Sequence, residues 1–400
     1  MAIAPPAARD ELRADLLLAM QETATAGNIS RARARNNIWD TWQQFCIALG
    51  LPELLQQVDD PIPFLQVFAR RYRDGRISRS GDAVRSRTVE EALRAIGRTF
   101  VLLGAENPRL NAAGHLDERI SSQLAQWRKS DPAPSRVKPV PFSLLHHIDN
   151  VALTLGTAAQ LCLADMMWIA VFFLCRPGEY TAATEGSTPF RFEDASLWIG
   201  GQRLDLNTAT PAQLLAATFS TLTFTDQKNA VRGEVIGQGC TGSARACATR
   251  SIARRIMHLR SHNAPPHTPL CAYFEYGTWR QVTSPMITFA LRSAAQLVGA
   301  TVGFLPADVS CRSLRAGGAM AMLCARIDPL TIQLLGRWRS DAMLRYLHVQ
   351  AAPLINDIAS RMLQGGQYQL LPNQAVPAIV PALEAEVVEI ALDAINPNEP

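Results

Sequence analysis

The sequence predicts a mainly α-helical protein with a small β-sheet: an all-helical N-terminal domain followed by a mixed α/β domain. Three observations carry that reading. Apolar residues recur at helical spacing as far as residue 128. The stretch KSDPAPSRVKPVP (129–141) holds four prolines and no apolar period, as an extended linker would. Beyond it, β-type runs appear among further helices.

The elements follow in chain order. Residues 9–25 read as a short helix. Ser30 can cap the next, which runs to Gly50 with Ile38, Trp42 and Phe45 on one face and Trp39 beside them. A third covers 62–73, with Phe64, Val67 and Phe68 turned inward. Thr88 opens a helix of about fifteen residues with Val89, Leu93, Ile96 and Phe100 in register. A last one covers roughly 115–128. After the linker, helices are expected at 142–155, 158–175 and 177–183. The run from Met166 to Cys175 is ten apolar residues, too short to span a bilayer, and reads as a buried core helix. β-type runs follow at 196–199, 217–225 and 231–236, the last two joined by DQKNA as a hairpin. Helices resume at 244–261, 283–298, 312–326, 329–336 and 340–348, with another near 351–363. Residues 366–400 form a proline-interrupted tail with one amphipathic run at 380–395. The expected domains are therefore 1–128 and 142–365, joined by 129–141.

Composition narrows the function. The chain is 48% hydrophobic and 18% charged, so it can bury sizeable cores. Its 39 basic residues are 36 Arg and 3 Lys (Lys129, Lys138 and Lys228). Part of that skew fits a nucleotide-composition bias towards Arg codons. The tail holds five acids and no basic residue, and removing it turns a net charge of +4 into +9. A basic body with an acidic tail points to a polyanionic partner, with nucleic acid first. MAIAPPAARDELRAD shows no secretory h-region, and the eight cysteines have no framework spacing. Reduced thiols in an intracellular protein are expected, without membrane insertion.

Four constellations carry chemistry. In CRPGEY (175–180), Arg176 follows a buried helix and needs an anion, and Glu179 can orient it; a plain structural pair has the same spacing. In SCRSLRAGGAMAMLCAR (310–326), Arg312 and Arg315 share a helix face. Gly317 and Gly318 there cost about 1 kcal/mol each relative to Ala, which fits a backbone or DNA passing very close. A solvated Arg face is the plainer alternative. In LLGRWRSDAMLRYLHV (334–349), Gly336 can end a helix, and Tyr346 lies nine residues after Arg337 and eight after Trp338. Taken alone, such a Tyr is better read as core packing. Lys228 sits at the hairpin tip, where a solvated charge is usual, but a Lys can lose its proton and an Arg hardly can.

Taken in this order, the motifs resemble the tyrosine recombinase (phage integrase-type) family of DNA breaking-and-rejoining enzymes. R-x-x-E is followed by a hairpin Lys, an L-R before small residues, L-G-x-W and a Tyr. LLGRWRSDAMLRYL and SLRAGGA look closest to the eukaryotic mobile-element branch, including crypton-type elements. The resemblance implies a core-binding-like domain at 1–128 and a tyrosine recombinase-like catalytic domain at 142–365. It matches Arg176 and Arg315 to the two catalytic arginines, Glu179 to their acidic companion, Lys228 to the hairpin lysine and Tyr346 to the nucleophile. Two positions depart: Arg312 stands where His is common, and Arg337 stands where His or Trp is common, with Trp338 one step later, so that the resemblance leaves Trp338 the packing role and Arg337 a phosphate hydrogen bond.

The implied chemistry is site-specific DNA recombination or integration through a 3′-phosphotyrosyl intermediate, needing no metal and no cofactor. The implied partner is double-stranded DNA, bound by a homo-oligomer, in the nucleus if the host is eukaryotic. Arg31, Arg33, Arg35, Arg79, Arg85, Arg87, Arg250 and Arg254 are expected to contact phosphates, which position without reading sequence. The departures leave open a catalytically inactive relative that only binds DNA, and a type IB topoisomerase-like enzyme is a further alternative.

Two other signals are weaker. Gly237, Gly239 and Gly242 spell G-x-G-x-x-G, but no acidic residue follows at the dinucleotide-fold spacing. Cys240, Cys247, His258 and His262 include H-x₃-H, but C-x₆-C is outside the usual zinc range.

Overall fold

The computed structural model describes Asp15 and residues 29–132, 137–182, 188–225 and 233–338. All but Asp15 of the expected helix 9–25 lies outside them, as do 340–348, 351–363 and the tail. The chain forms two compact units, one reaching residue 134 and one spanning 135–367.

The first unit is all-helical in its described residues: α1 (Ile29–Leu49), α2 (Ile62–Arg73), α3 (Ser86–Leu102) and α4 (Glu118–Ser130). Aromatic edges fill its centre. Phe68 lies 5.3 Å from Trp42 and 5.4 Å from Phe45, ring to ring. On α2 the buried residues are Ile62, Leu65, Phe68, Ala69 and Tyr72; Val67, expected inward, is exposed. Phe68 is inward, so Val67, one step or 100° away, leaves the core-facing stripe. Helix α3 starts at Ser86, two residues before Thr88. Its cap is distant in sequence: Asp131 accepts from Ser86 N (2.8 Å) and from the Ser86 hydroxyl (2.5 Å), and also binds Arg73 Nη1 (2.7 Å).

The second unit is mixed. Its helices are α5 (Phe142–Leu155), α6 (Ala158–Phe172), α7 (Pro177–Tyr180), α8 (Pro211–Leu215), α9 (Ala248–Ser261), α10 (Ser284–Val298), α11 (Ser313–Cys324) and α12 (Pro329–Gly336). Strands β1 (Ala195–Ile199), β2 (Gln202–Arg203), β3 (Phe219–Phe224) and β4 (Glu234–Gly239) make an antiparallel sheet in the order β2-β1-β3-β4. A separate hairpin pairs β5 (Ala272–Glu275) with β6 (Thr278–Gln281). Both β5 and β6 lack apolar-polar alternation and were not expected. The core is built on α6, where every residue from Cys162 to Val171 is buried, as expected for a core helix. No helix among the described residues is long and apolar enough to cross a membrane.

Part of the proline-rich stretch belongs to this unit. Lys138 N donates to Asp308 O (2.7 Å), Lys138 Nζ binds the Asp308 carboxylate (2.8 Å), and Val140 is buried. Residues 137–141 are therefore packed irregular chain, where an extended linker was expected.

Candidate functional site

The site grows from the end of α6. After Phe172 the chain turns through Leu174 at φ +50° and presents Arg176 at the start of α7. Glu179 folds back on it, accepting from Arg176 N (2.7 Å) and from Arg176 Nη1 (3.0 Å). The next residue, Tyr180, is buried and donates its hydroxyl to Cys311 O (2.8 Å). That bond fastens α7 to the loop leading into α11. Burial pushes the Tyr180 phenol well up, and burial followed by the Glu179 charge pushes the Cys175 thiol up. Neither group is set up to titrate near neutrality.

On α11, Arg315 is buried and lies over the Trp338 indole, 4.4 Å from the ring centroid. Its Nη2 donates to Gly336 O. Gly317 and Gly318 answer to other backbone. A Cβ on Gly317 would stand 2.5 Å from Val140 O, and one on Gly318 would stand 2.1 Å from Val171 O. Their close neighbour is the protein's own main chain, which accounts for the glycines.

The L-G-R-W run completes the group. Asp328 caps α12 by accepting from Thr331 N (2.9 Å). At the other end a Cβ on Gly336 would lie 1.6 Å from the Trp338 ring, so only glycine admits the indole there. Arg337 then adopts φ +58° and sends its side chain inward. Its guanidinium donates to Phe173 O (3.2 Å), Leu174 O (3.2 Å) and Glu179 Oε2 (3.0 Å), and lies 3.6 Å from the Phe224 ring centroid. One carboxylate, Glu179, thus receives both Arg176 and Arg337.

The structure brings together Arg176, Glu179 and Arg337 as one cluster, with Arg315 and Trp338 as a stacked pair next to Gly336. Arg337, expected to supply a phosphate hydrogen bond, has a side chain only 2% exposed and engaged with internal acceptors. Arg176 keeps 25% exposure, and Arg312 is exposed at the start of α11. Lys228 and Tyr346 lie outside the described residues. The strands flanking Lys228 pair as a hairpin, closing at Phe224 with Glu234. Phe224 was missed at the sequence level. It fell within the β-type run 217–225, but nothing in the sequence marked its cationic neighbour.

The remaining arginines divide. Arg33, Arg79 and Arg87 are exposed; Arg35 and Arg85 are half-buried; the Arg31 side chain lies outside the described residues. Helix α9 departs from the expectation of a phosphate-facing row. Arg254 binds Asp165 (2.7 Å through Nε) and Ala244 O (2.9 Å), and Arg245 grips Asp149 (2.6 Å). Arg255 is buried against Leu270 O (3.0 Å) and Ala272 O. Arg250 is half-buried, its Nε enclosed. Arg254 is therefore a half-buried tie, its side chain 20% exposed, because α9 packs against α6 and this arginine meets Asp165 there.

The two weaker motifs resolve structurally. Gly237 and Gly239 sit in strand β4, and a Cβ on Gly237 would meet the Phe219 ring at 2.2 Å. No group of three or more His, Cys, Asp or Glu is arranged for a metal among the described residues.

No family model and no curated protein sequence matches the chain. Among solved structures, it is similar to the Tn1549 transposon integrase in complex with transposon right end DNA. The identity is 10% and the TM-score 0.44, covering 82% of this chain and 99% of that one. The same integrase in complex with circular intermediate DNA gives 12% identity and a TM-score of 0.43, covering 81% and 98%.

Proposed function

We propose that the protein recombines or integrates DNA by tyrosine-type strand transfer, without metal, in the manner its motifs resemble. The observation that supports this most is the convergence of R-x-x-E, L-R and L-G-R-W. Arg176, Arg315 and Arg337 come from three separate elements, and each is held by a partner from the same set of motifs.

In this reading the Tyr346 oxygen attacks a scissile phosphodiester, forming a 3′-phosphotyrosyl bond and freeing a 5′-oxygen. The phosphorus-centred transition state gathers negative charge, which Arg176 and Arg315 neutralise by directed hydrogen bonds. Lys228 protonates the leaving oxygen, a kind of help worth roughly 10²–10⁴-fold. Arg312, exposed beside Arg315, adds a phosphate contact. Arg337 acts from within: it holds Glu179, which holds Arg176. The exposed arginines Arg33, Arg79 and Arg87 meet the DNA backbone, and a homo-oligomer assembles on the duplex.

Incubation with nicked suicide duplexes carrying the flanking genomic sequence should give a denaturant-stable protein–DNA adduct. Tyr346→Phe should abolish it. Salt-sensitive DNA binding by the wild-type protein with no adduct on such duplexes would refute strand transfer and leave a non-catalytic DNA-binding protein.

A further inference from the structure

Cys240 and Cys247 stand out in the sequence for a metal spacing they do not serve. They nevertheless stand together: their sulfurs are 3.6 Å apart. Cys240 is half-exposed where β4 ends, its N–H bound to Thr218 O (2.8 Å). Cys247 is buried immediately before α9. The six residues between them form a tight, internally bonded loop. Ser243 Oγ accepts from Ala246 N (3.0 Å), and the Thr241 hydroxyl donates to Ala246 O (2.8 Å). The same loop carries Arg245, which grips Asp149, and supplies the Ala244 carbonyl that holds Arg254.

We propose that Cys240 and Cys247 are an oxidisable thiol pair that closes to a disulfide when a peroxide reaches the half-exposed member. The Cys240 sulfur attacks one oxygen of hydrogen peroxide, forming S–O as O–O breaks, and the departing hydroxide takes the thiol proton to become water. Cys247 then attacks the Cys240 sulfur; S–S forms, S–O breaks, and a second water leaves with the Cys247 proton. Two thiols are oxidised and one peroxide is reduced. The division of labour follows from placement, since Cys240 is half-exposed to solvent whereas Cys247 is buried behind it. Thiolate character suits the attacking partner. Burial raises the Cys247 thiol, but hydrogen bonds from the Arg250 and Thr241 backbone, the Thr241 side chain and Cys240 outweigh it and hold that thiol below its usual range. The other buried thiols provide the contrast: burial pushes Cys46 up to about 11 and Cys162 up to about 12.

The bond closes the loop between β4 and α9 and clasps the Arg245 and Arg254 ties on α5 and α6. It is readable directly, because trypsin cuts after Arg232, Arg245 and Arg250 and so places the two cysteines on different peptides. Full-length protein treated with equimolar hydrogen peroxide, then blocked and digested, should yield Gly233–Arg245 joined to Ala246–Arg250. The thiol count of the denatured chain should fall from eight to six, and dithiothreitol should restore it. Cys247→Ser, whose fold is checked by circular dichroism, should instead accumulate a dimedone-trappable sulfenic acid on Cys240. Both cysteines remaining as thiols, or each carrying a separate modification in the wild-type protein, would overturn the proposal, as would absence of the dimedone adduct in folded Cys247→Ser.

Discussion

Arg337 is the residue whose role changes most between sequence and structure. Its position beside Trp338 suggested a phosphate ligand, yet its left-handed backbone turns the side chain onto two carbonyls, Glu179 and the Phe224 ring. Removing Arg337 leaves Glu179 still paired with Arg176, but takes their guanidinium donor from the buried Phe173 and Leu174 carbonyls, and a buried polar group left unsatisfied typically costs about 1–3 kcal/mol. Arg337→Ala should therefore lower the denaturant midpoint strongly and weaken strand transfer through Arg176. Arg312→Ala should leave the midpoint unchanged and reduce only DNA affinity or cleavage. Equal midpoints for the two variants in urea unfolding would contradict this assignment. A second residue sets a pH limit. Burial, then the Arg255 and His262 charges, hold His258 down to about 4, and its Nε2 accepts from Phe274 N (2.9 Å). The unfolded chain binds that proton near the ordinary value of 6.5, so between 6.5 and 4 it holds more protons than the folded one. Stability due to neutral His258 is thus present above that window and lost as pH falls through it. Urea midpoints at pH 7 and pH 5 should differ more for the wild type than for His258→Gln.

At the scale of elements, most helices were legible because their cores obey the 3.6 period. The expected 62–73 and 142–155 appear at those bounds, and Val89, Leu93, Ile96 and Phe100 are all buried. What local pattern could not show was the origin of long-range support. The Ser86 start of α3 depends on Asp131, forty-five residues away, so the cap was placed two residues late. Arg254 of α9 looked like a phosphate contact because its carboxylate partner, Asp165, is on α6, and Arg245, in the loop before α9, meets Asp149 on α5. Burial raises the Asp165 carboxyl despite the lowering effect of Arg254. The paired glycines of α11 were legible as a close approach, but only the structure distinguishes DNA from the Val140 and Val171 backbone. Gly318→Ala should overpack that crossing and cost about 1–3 kcal/mol, read as a lower thermal midpoint. An unchanged midpoint would mean that the two helices can part freely.

At the scale of the molecule, the low net charge conceals a basic body, and the structure sorts that charge into inner and outer arginines. The buried Arg337 and the half-buried Arg245 and Arg254 answer to carboxylates and carbonyls. Exposed ones such as Arg79, and Arg87 with its surface partner Glu91 (3.4 Å), are those the proposed function assigns to the DNA backbone. Each phosphate left without its arginine should reduce the slope of log affinity against log salt by about 0.9 on duplex DNA. Arg79→Ala should show that change without destabilising the fold. Arg254→Ala should do the reverse, leaving the slope intact while lowering the thermal midpoint. Arg176, Glu179, Arg315 and Arg337 stood out in the sequence by residue type and spacing, whereas the ties that position them did not. Mapping the covalent site on the protein tests the central claim most directly. After reaction with a nicked suicide duplex in the presence of a chelator, nuclease and protease digestion should leave a nucleotide on the peptide that contains Tyr346. A nucleotide on any other residue, or an adduct formed only when a divalent metal is supplied, would contradict tyrosine-type strand transfer by this chain.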